Sequence, residues 1–505
     1  MPSSPLTDGR PFTSLSEASS VIEKAHQREL GQFFTPAGVA EFMASLFSPL
    51  SPVIRLLDAG AGAGSLTKAF VESQLSHHAK PASIHVTVIE SDKSILPQLL
   101  RTLDECKERC QKAGVDFDAE LVDSDFIEYA ADETSQGLFA RPLKRFNAAI
   151  VNPPYRKIRS HSPEREALRR VGIETSNLYS AFIALILRLL DPSGQMVAIT
   201  PRSFCNGPYF KPFRTDLLAR STLKRLHLYE SRKAAFRDDN VLQENLVFHV
   251  VREKPKRTPV VISSSIQADA SDRQDKLVSF GDIVHPDDPD QFIHISLTTE
   301  DGHARNLLSR LTARLADLEI SVSTGRVVDF RAKEFLCSEP GDDTVPLIYP
   351  CHFSSGTIQW PKNGSRKPNA ITHCEQTAGL FVPNATYVLT KRFSAKEELK
   401  RVVACLFEPG CVSGNSVGFE NHLNYFHAQG GGLDRALANG LSAYLNSSVV
   451  DLYFRQFNGH TQVNATDLRN LRYPDRSQLL KIGKSLSPDS SQAIIDEVVE
   501  GVIRE

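Results

Sequence analysis

Asn152-Pro153-Pro154-Tyr155 brings an amide, a prolyl carbonyl and an aromatic ring to one point, directly after the apolar run Phe146-Asn-Ala-Ala-Ile-Val151. Two hydrogen-bond acceptors beside a ring can grip a planar molecule through its amino group. Asn152 and Pro153 supply the acceptors, and Tyr155 supplies a plate for stacking. Four residues recur easily by chance, and any planar amine would satisfy this grip. What stands before the turn narrows the chemistry.

Asp58-Ala-Gly60-Ala-Gly62-Ala-Gly64 lies between an apolar run and a segment of helical spacing. Glycines there let the backbone approach a ligand closely and turn a helix N-terminus towards it. The third glycine comes one residue early for the dinucleotide fingerprint G-x-G-x-x-G. A ligand without a pyrophosphate fits better, such as the amino-acid end of S-adenosylmethionine (SAM). A tight strand-to-helix turn with no ligand is the plainer explanation. Glu90 ends the next apolar run, where a carboxylate can accept from both hydroxyls of a ribose. Asp125-Phe126 follows the one after: the acid could accept from an adenine amino group while Phe126 packs on the ring. Each acid alone reads as a helix cap or a solvated loop charge rather than a ligand. At the ends of consecutive strands behind a glycine loop, they form one pocket.

Those strands must be positioned by an alternating fold. Val53–Leu57, Ile84–Ile89, Ala119–Val122, Phe146–Val151 and Gln195–Thr200 read as strands, with His227–Tyr229 and Leu246–Val251 completing the sheet. Leu66–Leu75, Pro97–Ala113 and Leu178–Leu190 read as helices between them. Such alternation predicts an α/β, doubly wound, mainly parallel Rossmann-like sheet with ligands outside the carboxyl ends of its strands. Residues 1–260 would form this catalytic domain. Lys254–Asp290, rich in Lys, Pro, Asp and Ser, reads as a boundary with loosely structured connections, placing a connecting region at 261–300. Leu307–Leu318 resumes a helical period. An irregular α+β domain would occupy 301–480, and a tail helix 481–505.

Composition excludes several classes. The 505 residues are 41% hydrophobic and 23% charged, ordinary globular values. No apolar run has the length of a membrane span and Met1–Arg10 is polar, which leads us to expect a cytoplasmic protein. The eight cysteines are scattered, without CxxC pairs, so neither a metal site nor a disulfide framework is expected. Cys106 and Cys110 fit one helix face. A formal net charge of −2 argues against non-specific nucleic-acid binding by the whole molecule but allows a local basic cleft.

The order Gly31-Gln-Phe-Phe-Thr35-Pro36, Asp58–Gly64, Glu90, Asp125-Phe126, Asn152–Tyr155 resembles the gamma class of adenine-N6 DNA methyltransferases of restriction-modification systems. Glu230–Phe236, Val241–Asn245 and Gly459–Leu468 resemble the PstI/BsuBI-type modification methylases. The resemblance is strong over the first half of the chain. It implies a SAM-dependent methyltransferase with a C-terminal target-recognition domain, double-stranded DNA as substrate and a companion restriction endonuclease. It further implies Asn152, Pro153 and Tyr155 as catalytic residues, and Thr35, Asp58, Gly60, Gly62, Glu90, Asp125 and Phe126 as cofactor-binding ones. Phe236 would face Tyr155 across a flipped-out adenine, and the site would be CTGCAG. Arg156–Arg170 holds six Arg and Lys against two Glu. One reading is a loop whose Arg156 and Lys157 face phosphates beside the flipped nucleotide; the other, equally open, is a solvated helix face.

The C-terminal half would read the DNA. Tyr349–Phe353, Trp360–Lys362, Lys391–Phe393, Asn421–Tyr425 and His460–Asn464 carry residues suited to base edges, though most of any such set is structural or touches phosphate. Four other readings compete. A glutamine amide of a protein is also a planar amine, but enzymes acting on it carry their extra domain before the sheet. Structured-RNA adenine methylation has no need of so large a downstream segment. An inactive DNA-binding scaffold would not require an intact Asn152–Tyr155 turn. Nuclease activity lacks a PD…(D/E)xK arrangement.

Overall fold

Phe146–Val151 (β4) is buried on both faces apart from Asn147, as an internal strand of a parallel sheet must be. In the computed structural model, which describes residues 35–135, 143–229, 244–394, 398–458, 462–487 and 489–505, this strand lies near the middle of a nine-stranded sheet. The other strands are Val53–Ala59 (β1), Ser83–Glu90 (β2), Asp116–Asp123 (β3), Leu190–Pro201 (β5), Ser221–Tyr229 (β6), Asn245–Arg252 (β7), Val260–Ser265 (β8) and Gln274–Val278 (β9). The order is β3-β2-β1-β4-β5-β7-β6-β8-β9. β1 to β5 run parallel; β7 is antiparallel to both β5 and β6. Chain order reverses between β1 and β4, and ligands of doubly wound sheets bind outside the strand ends at that crevice. The expected α/β class is the observed one.

Helices pack on the sheet by apolar stripes. Leu96–Lys112 (α3, after Ala37–Ser45 as α1 and Ser65–Ser76 as α2) buries Leu99, Leu103, Cys106 and Cys110, one face at helical spacing. Pro97 at its start and Gly114 beyond its end, at φ 74°, punctuate it. Phe126–Thr134 (α4) begins on the cap Asp125. After Pro163–Arg170 (α5), Leu178–Leu189 (α6) is buried on all sides except Arg188, whose guanidinium pairs with Asp216.

The stretch Lys254–Asp290 is not the loose connection its composition suggests. β8 pairs parallel with β6, and β9 closes the sheet as an edge strand. The charged, exposed pattern of β9 is what an edge strand uses to discourage further pairing. Nor does the helix span Leu307–Leu318. It runs Thr299–Leu308, started by a Thr298–Asp301 capping box, and the later leucines are buried from a turn-rich segment.

The chain divides into two compact units, residues 1–202 with 212–280, and 203–211 with 281–505. The second holds a four-stranded antiparallel sheet in the order Ser321–Thr324, Leu423–His427, Tyr387–Lys391, Ala404–Phe407. A five-stranded mixed sheet and C-terminal helices complete it. Two of these helices, Arg435–Asn446 and Arg476–Ser485, cross at glycines. A Cβ on Gly440 would lie 1.9 Å from Leu479 O, and one on Gly483 1.9 Å from Ala436 O. Among the described residues no helix is long and apolar enough to cross a membrane, and no group of three or more His, Cys, Asp or Glu could hold a metal ion.

Candidate active site

The loop after β1 is folded by its own backbone. Gly60 N and Ala61 N donate to Ile89 O at 2.8 and 3.2 Å, and Gly60, Gly62 and Gly64 take φ values of 71°, 55° and 82°. These are left-handed conformations that side chains disfavour. Gly64 has a second reason: a Cβ there would meet Leu99 Cδ1 at 2.9 Å and Thr102 Cγ2 at 3.0 Å, where α3 approaches the loop.

Glu90, buried at the end of β2, ties the loop to its neighbour strand. Its Oε2 accepts from Gly62 N at 2.8 Å, and its Oε1 from Ser91 N and Asp92 N at 2.9 Å each. Asp125 both caps and lines. Its Oδ1 accepts from Ile127 N at 2.8 Å and Glu128 N at 3.1 Å, while Oδ2 has no hydrogen bond among the described residues. Phe126 is buried with its ring 4.7 Å from that of Phe182, tilted by 47°. Gly60, Gly62, Glu90, Asp125, Phe126, Asn152, Pro154 and Arg156 line one cavity, together with Ile89, Ile95, Leu178 and Phe182. Glycines at a strand end, a carboxylate on the next strand and an acid beside a pair of packed aromatic rings are the features a SAM-sized adenosine ligand requires. The residues present fit that group.

Asn152 reaches the same cavity from the end of β4. Its Nδ2 donates to Thr35 Oγ1 at 3.1 Å, and its Oδ1 accepts from the Tyr155 hydroxyl at 2.8 Å. The turn is anchored from behind by Leu178 N to Arg156 O and Ile158 N to Ser176 O, both 2.8 Å. Tyr155 meets the edge of Tyr179 with centroids 6.3 Å apart. Burial pushes the Tyr155 hydroxyl well above the ordinary phenol range, so it remains a donor and does not act as a base. Pro153 is buried.

Two expected ligands sit elsewhere. Asp58 is fully buried beneath the loop and does not line the cavity; its Oδ2 accepts from Thr67 Oγ1 at 2.7 Å. Burial pushes its carboxyl up to about 7, with the nearby Glu90 charge adding to the rise and the Thr67 bond opposing it. Thr35, buried, contacts Asn152 and is absent from the cavity wall. Lys157 is exposed on a bridge to Asn177, and Arg156 pairs with Glu164 at 3.6 Å. Further along that basic stretch Arg165 and Arg170 pair with Glu174 and Asp132, which neutralises part of it. Phe236, and Gly31–Phe34 before Thr35, lie outside the described residues. The sequence did not single out Thr67, Phe182 or Leu178. Only their place on helices facing the loop distinguishes them from ordinary core residues.

In the second unit the structure sorts the strings that suit base edges. Tyr349 and His352 are buried and bonded to each other, to Asp329 and to Asn369; Trp360 Nε1 donates to Asn369 O. Asn424 and Tyr425 are buried in the sheet, and Asn464 caps a helix. His460 and Thr461 lie outside the described residues. Phe393 is exposed and the His422 side chain half-exposed.

A protein-family profile described as "Eco57I restriction-modification methylase" matches residues 74–236. The chain is 44% identical over 483 residues to "Type II methyltransferase M.PstI" of Providencia stuartii, covering 95% of this chain and 94% of that one. It is 46% identical over 468 residues to "Type II methyltransferase M.BsuBI" of Bacillus subtilis, covering 91% and 90%. Among solved structures it resembles one described as a cryoEM structure of a DrdV–DNA complex. The TM-score is 0.50 at 12% identity, covering 92% of this chain and 58% of that one. At that identity the likeness speaks for the fold alone.

Proposed function

The chain belongs to the type II methyltransferases of restriction-modification systems, and from that premise we propose that it methylates the exocyclic N6 of adenine within a short duplex sequence, using SAM. The observation that carries this reading is the shared cavity. The Asn152 amide at the end of β4 opens onto the same space as Glu90, Asp125 and the glycine loop.

SAM, when bound, supplies an electrophilic sulfonium methyl. Everything else is done by the chain's own residues. Glu90 would accept from the ribose hydroxyls, and Asp125 with Phe126 would hold the adenine of the cofactor. Asn152 Oδ1 and the Pro153 carbonyl would accept the two N–H bonds of the target amine. That grip concentrates on nitrogen a lone pair otherwise delocalised into the ring, and holds it in line for attack. No strong base is needed, because the nitrogen can lose its proton after transfer; positioning and fixed dipoles lower the barrier. The amine is unreachable inside a duplex, so the base must be extruded at a cost of a few kcal/mol of stacking, part of which Tyr155 returns.

By the same membership the proposed site is CTGCAG, and methylation there would protect DNA from a partner endonuclease. Plasmid DNA incubated with the protein and SAM, then sequenced for modified bases, tests this. N6-methyladenine confined to CTGCAG is expected. Modification at another sequence would remove the proposed site, and methyl transfer to protein or RNA in place of DNA would remove the proposed substrate.

A further inference from the structure

His422 sits on the loop joining Ser416–Phe419 to Leu423–His427 in the second unit. Its side chain is 45% exposed, yet its Nδ1 is bound by Glu420 Oε1, on a carboxylate with no exposure at all. The other oxygen, Glu420 Oε2, accepts from His422 N at 2.9 Å. A carboxylate can only accept, so Nδ1 carries a proton and the ring is fixed in tautomer and orientation. Nε2 remains as its polar tip. A buried carboxylate spent on orienting a surface imidazole is costly for stability alone, since it must be removed from water.

The Phe393 ring lies 4.9 Å from that of His422 and is 42% exposed. Arg392 N donates to His422 O at 2.8 Å, and Arg392 NH1 to Asn421 O at 2.6 Å. Val463 N donates to Arg392 O at 2.7 Å, and Phe393 bridges to Gln462. Three segments distant in sequence therefore meet at one surface that carries a ring and an oriented imidazole, with the half-buried Arg392 bracing the loop behind them. We infer that His422, positioned by Glu420 and flanked by Phe393, contacts duplex DNA and helps hold it for methylation. An oriented donor or acceptor beside an aromatic is what DNA backbone and base edges recognise. The inference rests on the DNA reading above. Nε2 could meet a phosphate or a base edge; both are groups of the same duplex.

Fluorescence anisotropy with a CTGCAG duplex and a scrambled duplex, on wild type, His422→Ala, Glu420→Gln and the double variant, tests it. His422→Ala should weaken binding by roughly tenfold or more, with thermal midpoint and SAM affinity unchanged. Loss on both duplexes equally marks a phosphate contact, and loss on CTGCAG alone marks a base contact. The double variant should lose no more than His422→Ala, because Glu420 acts through the imidazole. Wild-type affinity in a folded His422→Ala protein on both duplexes would overturn the inference. Failure of the wild type to bind either duplex would instead overturn the DNA reading itself. Should Glu420→Gln not fold, the His422→Ala comparison still decides.

Discussion

Asn152 Nδ2 donates to Thr35 Oγ1 across 117 positions of sequence, which turns the amide so that its oxygen lies on the side of Tyr155. Thr35 does not line the cavity with Glu90 and Asp125, and we propose that it positions Asn152 for the amine grip. Thr35→Val keeps the shape and removes the acceptor. It should lower kcat for methyl transfer about tenfold, the size of one lost hydrogen bond, with SAM affinity within a few-fold of wild type. A selective loss of SAM affinity would return Thr35 to the cofactor.

The two parts of Tyr155 have separable roles. Its hydroxyl bonds Asn152, while its ring, packed edge-on with Tyr179, is the plate proposed to stack on the extruded base. Tyr155→Phe retains the ring and should keep transfer within a few-fold of wild type. Tyr155→Ala should cost roughly ten- to a hundredfold in kcat/KM for DNA, the range for one stacked base. Equal losses in both variants would make the hydroxyl, not the ring, the working group.

Glu90 joins the glycine loop to β2 through Gly62 N and faces the cavity. Glu90→Ala should weaken SAM binding by calorimetry about a hundredfold or more, since charge-assisted bonds of about 1.5–3 kcal/mol each are removed together. Undiminished SAM binding would show that the ribose is held elsewhere.

Asp58 makes a pH-dependent contribution of known sign. Its folded pKa, about 7, exceeds the ordinary 3.8. Between those values the folded state keeps a proton that the unfolded chain has lost. Stability from this group is therefore full below about pH 3.8, falls as pH rises to about 7, and then levels off. Asp58→Asn removes the effect. The difference in thermal midpoint between variant and wild type should move in the variant's favour from pH 5 to pH 7.5, by the equivalent of a few kcal/mol at most. A difference independent of pH would show that Asp58 is ionised throughout.

Much of this site was legible in the sequence because strands buried on both faces read as apolar runs, and the first polar residue after each run marks a strand's carboxyl end. Glu90 and Asn152 follow that rule and Asp125 stands just beyond the end of its strand, and the three share a cavity. Asp58 follows the same rule but turns inward onto Thr67, and no spacing shows which way a strand-end acid turns. β8 and β9 were hidden for another reason. An edge strand such as Gln274–Val278 is charged and exposed, and β8 ends in serines, two of which hydrogen-bond the buried His227, so neither has the composition of a strand core. The oriented His422 was invisible because Glu420 is an ordinary acid until its burial is seen.

The most direct measurement is nucleoside analysis of duplex DNA after reaction with methyl-labelled SAM, run for wild type and Asn152→Ala beside SAM binding for both. Label in N6-methyladenine with the wild type, none with the variant, and nearly equal SAM affinity are the expected results. Label in a cytosine product, or unimpaired adenine methylation by Asn152→Ala, would contradict the account.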